Sequence, residues 1–273
     1  MGKFLGVVLK IMPWLAIAAT AGVLLLVVGY VLINGIPYIR PSLFAREFTI
    51  HNQSLFPALV GTLMVVGLSL LLAVPLGIGS AIYLVEYAGR GGRFVRIVRT
   101  TTETLAGIPS IIYGLFGFLF FGVVLGWGLS LLSGALTTSI MILPLIMRTT
   151  EESLKAVPDT YREGSFGLGA GRLRTVSRVI LPAASPGILA GIILAIGRIV
   201  GETAAIIFTL GNIPRIPNNL FRSGRTLSAH MYQLAREGTH PGEAHATAAV
   251  LLIFILLINA LSTWVVRFIK SEV

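Results

Sequence analysis

Residues 163 to 182 read Glu-Gly-Ser-Phe-Gly-Leu-Gly-Ala-Gly-Arg-Leu-Arg-Thr-Val-Ser-Arg-Val-Ile-Leu-Pro. This polar, basic stretch is wedged between long apolar segments. Its skeleton is Glu163, then Gly169, then Val179-Ile180-Leu181-Pro182. Gly169 permits a turn between two short helices. Arg172, Arg174 and Arg178 mark the stretch as a loop that stays on the cytoplasmic side of a membrane, where basic residues accumulate.

Composition makes lipid the solvent for most of the chain. The 273 residues are 55% hydrophobic and only 12% charged, with a mean hydropathy of +0.88. A soluble domain carries about 25% charged residues. The formal charge of +10 does not point to nucleic acid, because the cations flank apolar runs and orient a membrane protein instead. Cysteine is absent, so thiolate metal sites and disulfides are excluded. Lys3 and Lys10 ahead of the apolar run 14–33 imitate a signal peptide. The run is longer than a usual signal core and no small-residue cleavage pattern follows, so it reads as a retained first helix.

A span needs about 20 mostly apolar residues. Six segments qualify: 14–36, 57–87, 100–125, 128–148, 180–211 and 244–268. The fold class is therefore an all-α membrane protein with six transmembrane helices. The chain divides into residues 1–54, an N-terminal helix with the first outer loop, and residues 55–270, the transport domain. Proline and glycine interrupt several spans, as at Pro75, Gly107-Ile108-Pro109 and Pro144. Such breaks are tolerated where neighbouring helices or a cavity satisfy the freed backbone groups.

Lys and Arg set the orientation. With the N-terminus inside, the inner side holds 14 of the 21 basic residues and the outer side six, with Arg198 left within a span. Both termini and the 149–180 loop are then cytoplasmic. The long outer loop 212–243 contains an amphipathic helix over 227–236, with Leu227, Met231 and Leu234 on one face. Two readings of it stand: a helix lying on the membrane surface, or a landing site for an extracytoplasmic binding protein. Gly122/Gly126, Gly187/Gly191 and Gly197/Gly201 have helix-packing spacing.

Catalytic signatures are lacking. The only Gly-Lys pair is Gly2-Lys3, so no phosphate-binding Walker loop exists and ATP is not hydrolysed by this chain. Gly167, Gly169 and Gly171 follow no strand, which removes a dinucleotide fingerprint. His240 and His245 flank Glu243 without a known zinc spacing. The informative charges lie in the spans. Arg198 is about 25 Å along its helix from Leu181, where an unpaired charge costs several kcal/mol. Glu202 follows four residues later, on the same face of a continuous helix. The pair is either a buried ion pair that fixes packing or a cation that meets a passing oxyanion. Guanidinium suits phosphate because its planar fork donates two parallel hydrogen bonds, and Thr203 adds a hydroxyl. Glu103 opens the third span as a helix N-terminal carboxylate favoured by the dipole. Glu86 and Arg148 close their spans at the interface.

Residues 163–182 resemble the EAA loop of ABC importer permeases: E-A-A, three residues, G, nine residues, I-x-L-P. The spacing matches throughout. Gly164 and Ser165 replace the two alanines, and Val179 replaces the isoleucine. Glu103-Thr-Leu-Ala-Gly-Ile-Pro-Ser-Ile-Ile-Tyr-Gly114, Arg148-Thr-Thr-Glu-Glu-Ser-Leu154 and Gly197-Arg-Ile-Val-Gly-Glu-Thr203 further resemble the permeases of phosphate ABC importers, over roughly residues 55 to 270. The PstA family is favoured over its partner PstC by the short N-terminal region and by Arg-Thr-Thr-Glu-Glu-Ser-Leu. The resemblance implies a type I ABC importer permease fold with a cytoplasmic coupling helix. It implies that Glu163, Gly164, Gly169, Leu181 and Pro182 couple to the ATPase. Arg198, Glu202, Thr203 and Glu103 would lie on the translocation path. The implied partners are a second permease (PstC-like), an ATPase dimer (PstB-like) that binds the ATP and magnesium, and an extracytoplasmic phosphate-binding protein (PstS-like). The chain itself would need no cofactor. Its place would be the plasma membrane of a bacterium or archaeon. The rival classes are an independent channel or secondary transporter, which six spans permit, and an intramembrane enzyme, for which no nucleophile–base pair or metal cluster is present.

Overall fold

A computed structural model describes residues 2–88 and 92–270. Arg90, one of the 14 inner basic residues, lies outside the described residues. The described chain is helical, in the order α1 (Gly2–Gly35), α2 (Phe56–Ile82), α3 (Arg93–Ala106), α4 (Ser110–Gly117), α5 (Leu131–Lys155), α6 (Asp159–Gly167), α7 (Arg172–Thr175), α8 (Leu181–Gly201), α9 (Ala204–Thr209), α10 (Leu227–Glu237) and α11 (Pro241–Lys270). Wider π-type turns extend α2 to Tyr87 and α4 to Val124, and join α7 to α8 over Val176–Ile180.

Five apolar helical stretches are long enough to cross a membrane: Leu9–Tyr38, Phe56–Tyr87, Leu131–Lys155, Arg172–Gly201 and Pro241–Leu261. The sixth crossing is a broken one. The expected third span, 100–125, is two helices, Arg93–Ala106 and Ser110–Val124, bent by 100°. Pro109 is the reason. It cannot donate to a helix and it pushes Ile108 out of the helical region, so α3 stops at Ala106 and α4 restarts after Pro109.

The core forms where α2, α4, α5, α8 and α9 meet, around Val65, Ile142, Ile146, Ile199, Ile206 and Leu210. Apolar burial gives little attraction between helices in lipid, so small residues and interhelical hydrogen bonds set the packing. Ser69 Oγ on α2 lies 2.6 Å from Thr138 Oγ1 on α5 and donates to the Ala135 carbonyl at 3.1 Å. Ser139 Oγ returns a bond to the Ser69 carbonyl at 3.2 Å. Of the glycine pairs, Gly187/Gly191 is the one that brings two spans together. A Cβ on Gly191 would stand 2.7 Å from Thr149 Cβ, and one on Gly187 would stand 2.9 Å from Ser153 Cβ, both on α5. Gly126, Gly197 and Gly201 have open space where a Cβ would be. α1 carries an apolar surface left exposed by the rest of the chain. It meets the bundle at α11, where the Tyr30 and His245 rings stand edge to face at 5.9 Å.

Candidate functional site

The path candidates gather around a second break. α8 ends at Gly201, Glu202 takes an extended backbone (φ −73°, ψ 124°), and α9 starts at Ala204. The first amides of a helix lack intrahelical partners. The Glu202 carboxylate supplies one, accepting from the Ala205 amide at 3.0 Å, while its carbonyl accepts from Ser228 Oγ at 2.6 Å. Glu202 is buried. The expectation that Arg198 and Glu202 share a helical face is corrected here, because the helix has ended before Glu202. Among the described ion pairs none joins them, and Glu202 caps α9 instead. Thr203 lies in the break itself.

Arg198 remains on α8, exposed on the same face as Ala183, Ala190 and Leu194. That face of this apolar span is left open by the rest of the chain. The Tyr113 hydroxyl on α4 donates to the Leu105 carbonyl at 2.7 Å. Glycine lets α4 reach the broken segment: a Cβ on Gly114 would be 2.7 Å from Ala205 Cα, and one on Gly117 would be 2.7 Å from Thr209 Cγ2. The two broken crossings therefore pack against each other.

Glu103 is not at a helix start. α3 begins at Arg93, which places Glu103 in its last turn. It lines a charged cleft of ≈ 270 Å³ between α3 and α5, with Arg99, Arg148, Glu151, Glu152 and Lys155. Glu151 holds both Arg99 and Lys155 at 2.6 Å, and Arg148 Nε is 3.0 Å from Glu152. Arg148 and Glu152 are well exposed, so their pair contributes little.

The loop after α5 is two short helices. Glu163 and Gly164 lie on α6, both exposed; Gly169 turns the chain with φ +81°, in the left-handed region that glycine favours. Ser165 and Thr175 bring the two helices together at 2.8 Å between hydroxyls. Leu181 and Pro182 open α8. The tip presents apolar side chains to solvent: Leu168 is 91% exposed, and Tyr161, Phe166 and Leu173 are also exposed. Exposed apolar clusters of this kind mark contact surfaces.

A buried cation in the outer loop was not visible in the sequence, where Arg225 is one of the six outer basic residues and His230 lies within the amphipathic 227–236 helix. Both are buried. Arg225 donates twice to the Asn212 carbonyl (3.2 and 2.7 Å) and once to His230 Nδ1 at 2.9 Å. Arginine only donates, so Nδ1 accepts and the imidazole proton is on Nε2, directed at the Gln53 carbonyl 3.3 Å away. Burial, with the Arg225 charge next in importance, pulls the His230 pKa down to about 4. Burial pulls Arg225 down to about 10. Ring contact with Phe48 closes the cluster on both residues. The helix over 227–236 is found as α10, extended by one residue to Glu237. Its apolar face is buried against the bundle. No signal within one segment could reveal this cluster, since its parts come from residues 48–53, 212 and 225–230.

Residues 73–273 match the family described as binding-protein-dependent transport system inner membrane component. A probable ABC transporter permease protein, YqgI of Bacillus subtilis, is 33% identical over 273 residues, covering 92% of this chain and 91% of that protein. The phosphate transport system permease protein PstA 1 of Mycobacterium tuberculosis is 38% identical over 220 residues, covering 80% of this chain and 71% of that protein. Among solved structures, the bacterial alginate ABC transporter in complex with its alginate-bound periplasmic protein has a chain of similar fold. The TM-score is 0.68 at 19% identity, covering 96% of both chains.

Proposed function

The chain belongs to the binding-protein-dependent transport system inner membrane components, as a membrane-spanning permease subunit of an ABC importer, and from that premise we propose that its cargo is inorganic phosphate. In this reading it is the PstA-type half of the translocation path. It sits in the plasma membrane with both termini cytoplasmic, beside a PstC-like permease. A PstB-like ATPase dimer binds ATP and magnesium and docks on α6 and α7. A PstS-like protein delivers phosphate to the outer face.

The observation that carries the reading is Arg198. It is a guanidinium on an otherwise apolar span, free of any carboxylate among the described residues and exposed on the face that the rest of this chain leaves open. Such a charge is costly in lipid unless it faces a polar path. Its fork matches a phosphate oxyanion. Glu202, occupied in capping α9, does not compete for the guanidinium, so the cation is available to the cargo. Of the two readings, packing pair or oxyanion contact, the contact is the one we propose, because the Glu202 carboxylate bonds the Ala205 amide.

The test is reconstitution. The chain, its partner permease, the ATPase and the binding protein are assembled in proteoliposomes, and uptake of labelled phosphate is measured with and without ATP. Phosphate uptake that requires both ATP and the binding protein supports the proposal. Phosphate uptake without them would place the chain among channels or secondary transporters, and ATP-driven uptake of sulfate but not phosphate would reassign the cargo.

A further inference from the structure

Arg162, one of the 14 inner basic residues, is bonded to three segments at once. Its Nη2 is 2.6 Å from Glu86 Oε1, and its Nε reaches both carboxylate oxygens at 3.2 and 3.4 Å. Glu86 lies in the π-type turn, Tyr83–Tyr87, that closes the α2 span. The same guanidinium donates to the carbonyls of Leu154 at 3.0 Å and Val157 at 2.9 Å. Leu154 is in the last turn of α5, where helix carbonyls lack intrahelical partners, and Val157 follows just after that helix ends. Asp159 completes the set at 3.3 Å. The Arg162 and Glu86 side chains are 15% and 8% exposed; in each of the other described ion pairs at least one partner is more exposed. A second contact runs the same way: the Arg172 guanidinium stands over the Tyr87 ring at 5.8 Å.

α6 needs such an anchor. It has no buried residue of its own. Ser165 bonds it to Thr175 of α7, and Arg162 bonds it to α2 and to the end of α5. The other end of the α2 span is tied as well. Thr62 Oγ1 accepts from the Leu227 amide of α10 at 2.9 Å, and Gly61 lies against the Arg225 carbonyl, where a Cβ has no room. From Thr62 to Glu86 the span runs about 36 Å at 1.5 Å per residue. One span is thus bonded to a loop on each face of the bundle.

We infer that the α2 span links the ATPase-facing loop to the outer loop, and that the Arg162–Glu86 pair is its inner joint. Arg162 and Glu86 are positioning residues: they touch no cargo, and they make α2 move with α6. The inference rests on the proposed transporter function. Without the joint, α6 remains connected to α5 through the chain, yet its displacement no longer carries α2 along.

The experiment compares Glu86→Gln and Arg162→Lys with the unaltered complex in proteoliposomes. It measures phosphate imported per ATP hydrolysed, and the stimulation of hydrolysis by the loaded binding protein. Both quantities are ratios within assembled complexes, so they remain readable if a variant assembles poorly. The expected result is at least a fivefold fall in phosphate per ATP in both variants, with ATP hydrolysis persisting and its stimulation blunted. A purely structural pair would lower the amount of complex and leave both ratios unchanged, and that result overturns the inference. Failure of the proposed function is distinct, because the unaltered complex itself would then import no phosphate.

Discussion

His230→Gln tests the outer-loop cluster quantitatively. The imidazole is fully buried, accepts from Arg225 and faces the Gln53 carbonyl. Its pKa falls from 6.5 to about 4 in the folded protein. The unfolded chain therefore binds a proton that the folded one refuses between those values. The stability this group contributes is present above pH 6.5 and is lost as pH falls through the window toward 4. At about 1.4 kcal/mol per pH unit the loss amounts to about 3 kcal/mol. For a chain of this size that corresponds to a fall in Tm of roughly 6–12 °C. Glutamine can accept from Arg225 through Oε1 and donate to Gln53 through Nε2, and it does not titrate. The assay is thermal unfolding of the detergent-purified complex, followed by tryptophan fluorescence at half-unit steps from pH 4 to 8. The unaltered protein should lose the stated stability between pH 6.5 and 4, and His230→Gln should lose much less over the same range. Parallel profiles for the two proteins would refute the reasoning, since the proton would then be taken up elsewhere.

Gly117→Ala should cost about 1–3 kcal/mol by overpacking, because its Cβ would meet Thr137 Oγ1 and Thr209 Cγ2; detergent thermostability checks this. Gly169→Arg should leave the protein in the membrane and abolish uptake. Its φ of +81° adds about 1–2 kcal/mol of local strain to a side chain placed in the proposed ATPase contact. Normal uptake at normal expression would remove that contact from the account. Cysteines at the exposed positions Ser42 and Asn218 should react with an impermeant thiol reagent in intact cells, and one at Ser177 should not. Reversed labelling would invert the topology. Ser223 is a poor labelling site despite its place in the outer loop, because it is buried and donates to the Leu210 carbonyl at 2.7 Å.

What the sequence made legible followed from local rules. Apolar length located the crossings, and Glu163, Gly169 and Leu181-Pro182 located the two-helix loop. Leu227, Met231 and Leu234 gave α10. The breaks were harder. Gly107-Ile108-Pro109 was visible as an interruption, but the 100° bend depends on how α3 seats Val95 and Thr102 against α5. Arg93, Arg96 and Arg99, three apart, were the available hint that this segment is an amphipathic helix. Gly201-Glu202-Thr203 reads as helix because glutamate is a good helix former. Its carboxylate bond to Ala205 and its carbonyl bond to Ser228 of α10 outweigh that local preference. Arg162–Glu86 and Arg225–His230 join residues 76 and five apart. The first needs the fold to be seen at all, and the second needs burial that no local pattern reports.

The measurement closest to the central claim is phosphate uptake by the reconstituted complex carrying Arg198→Gln, beside Glu202→Gln. Glutamine at 202 keeps an oxygen for the Ala205 amide, so that variant should assemble and transport. Arg198→Gln should assemble, still hydrolyse ATP, and lose phosphate uptake by at least tenfold, because the passing oxyanion no longer meets a guanidinium. Full phosphate uptake by assembled Arg198→Gln would contradict the account.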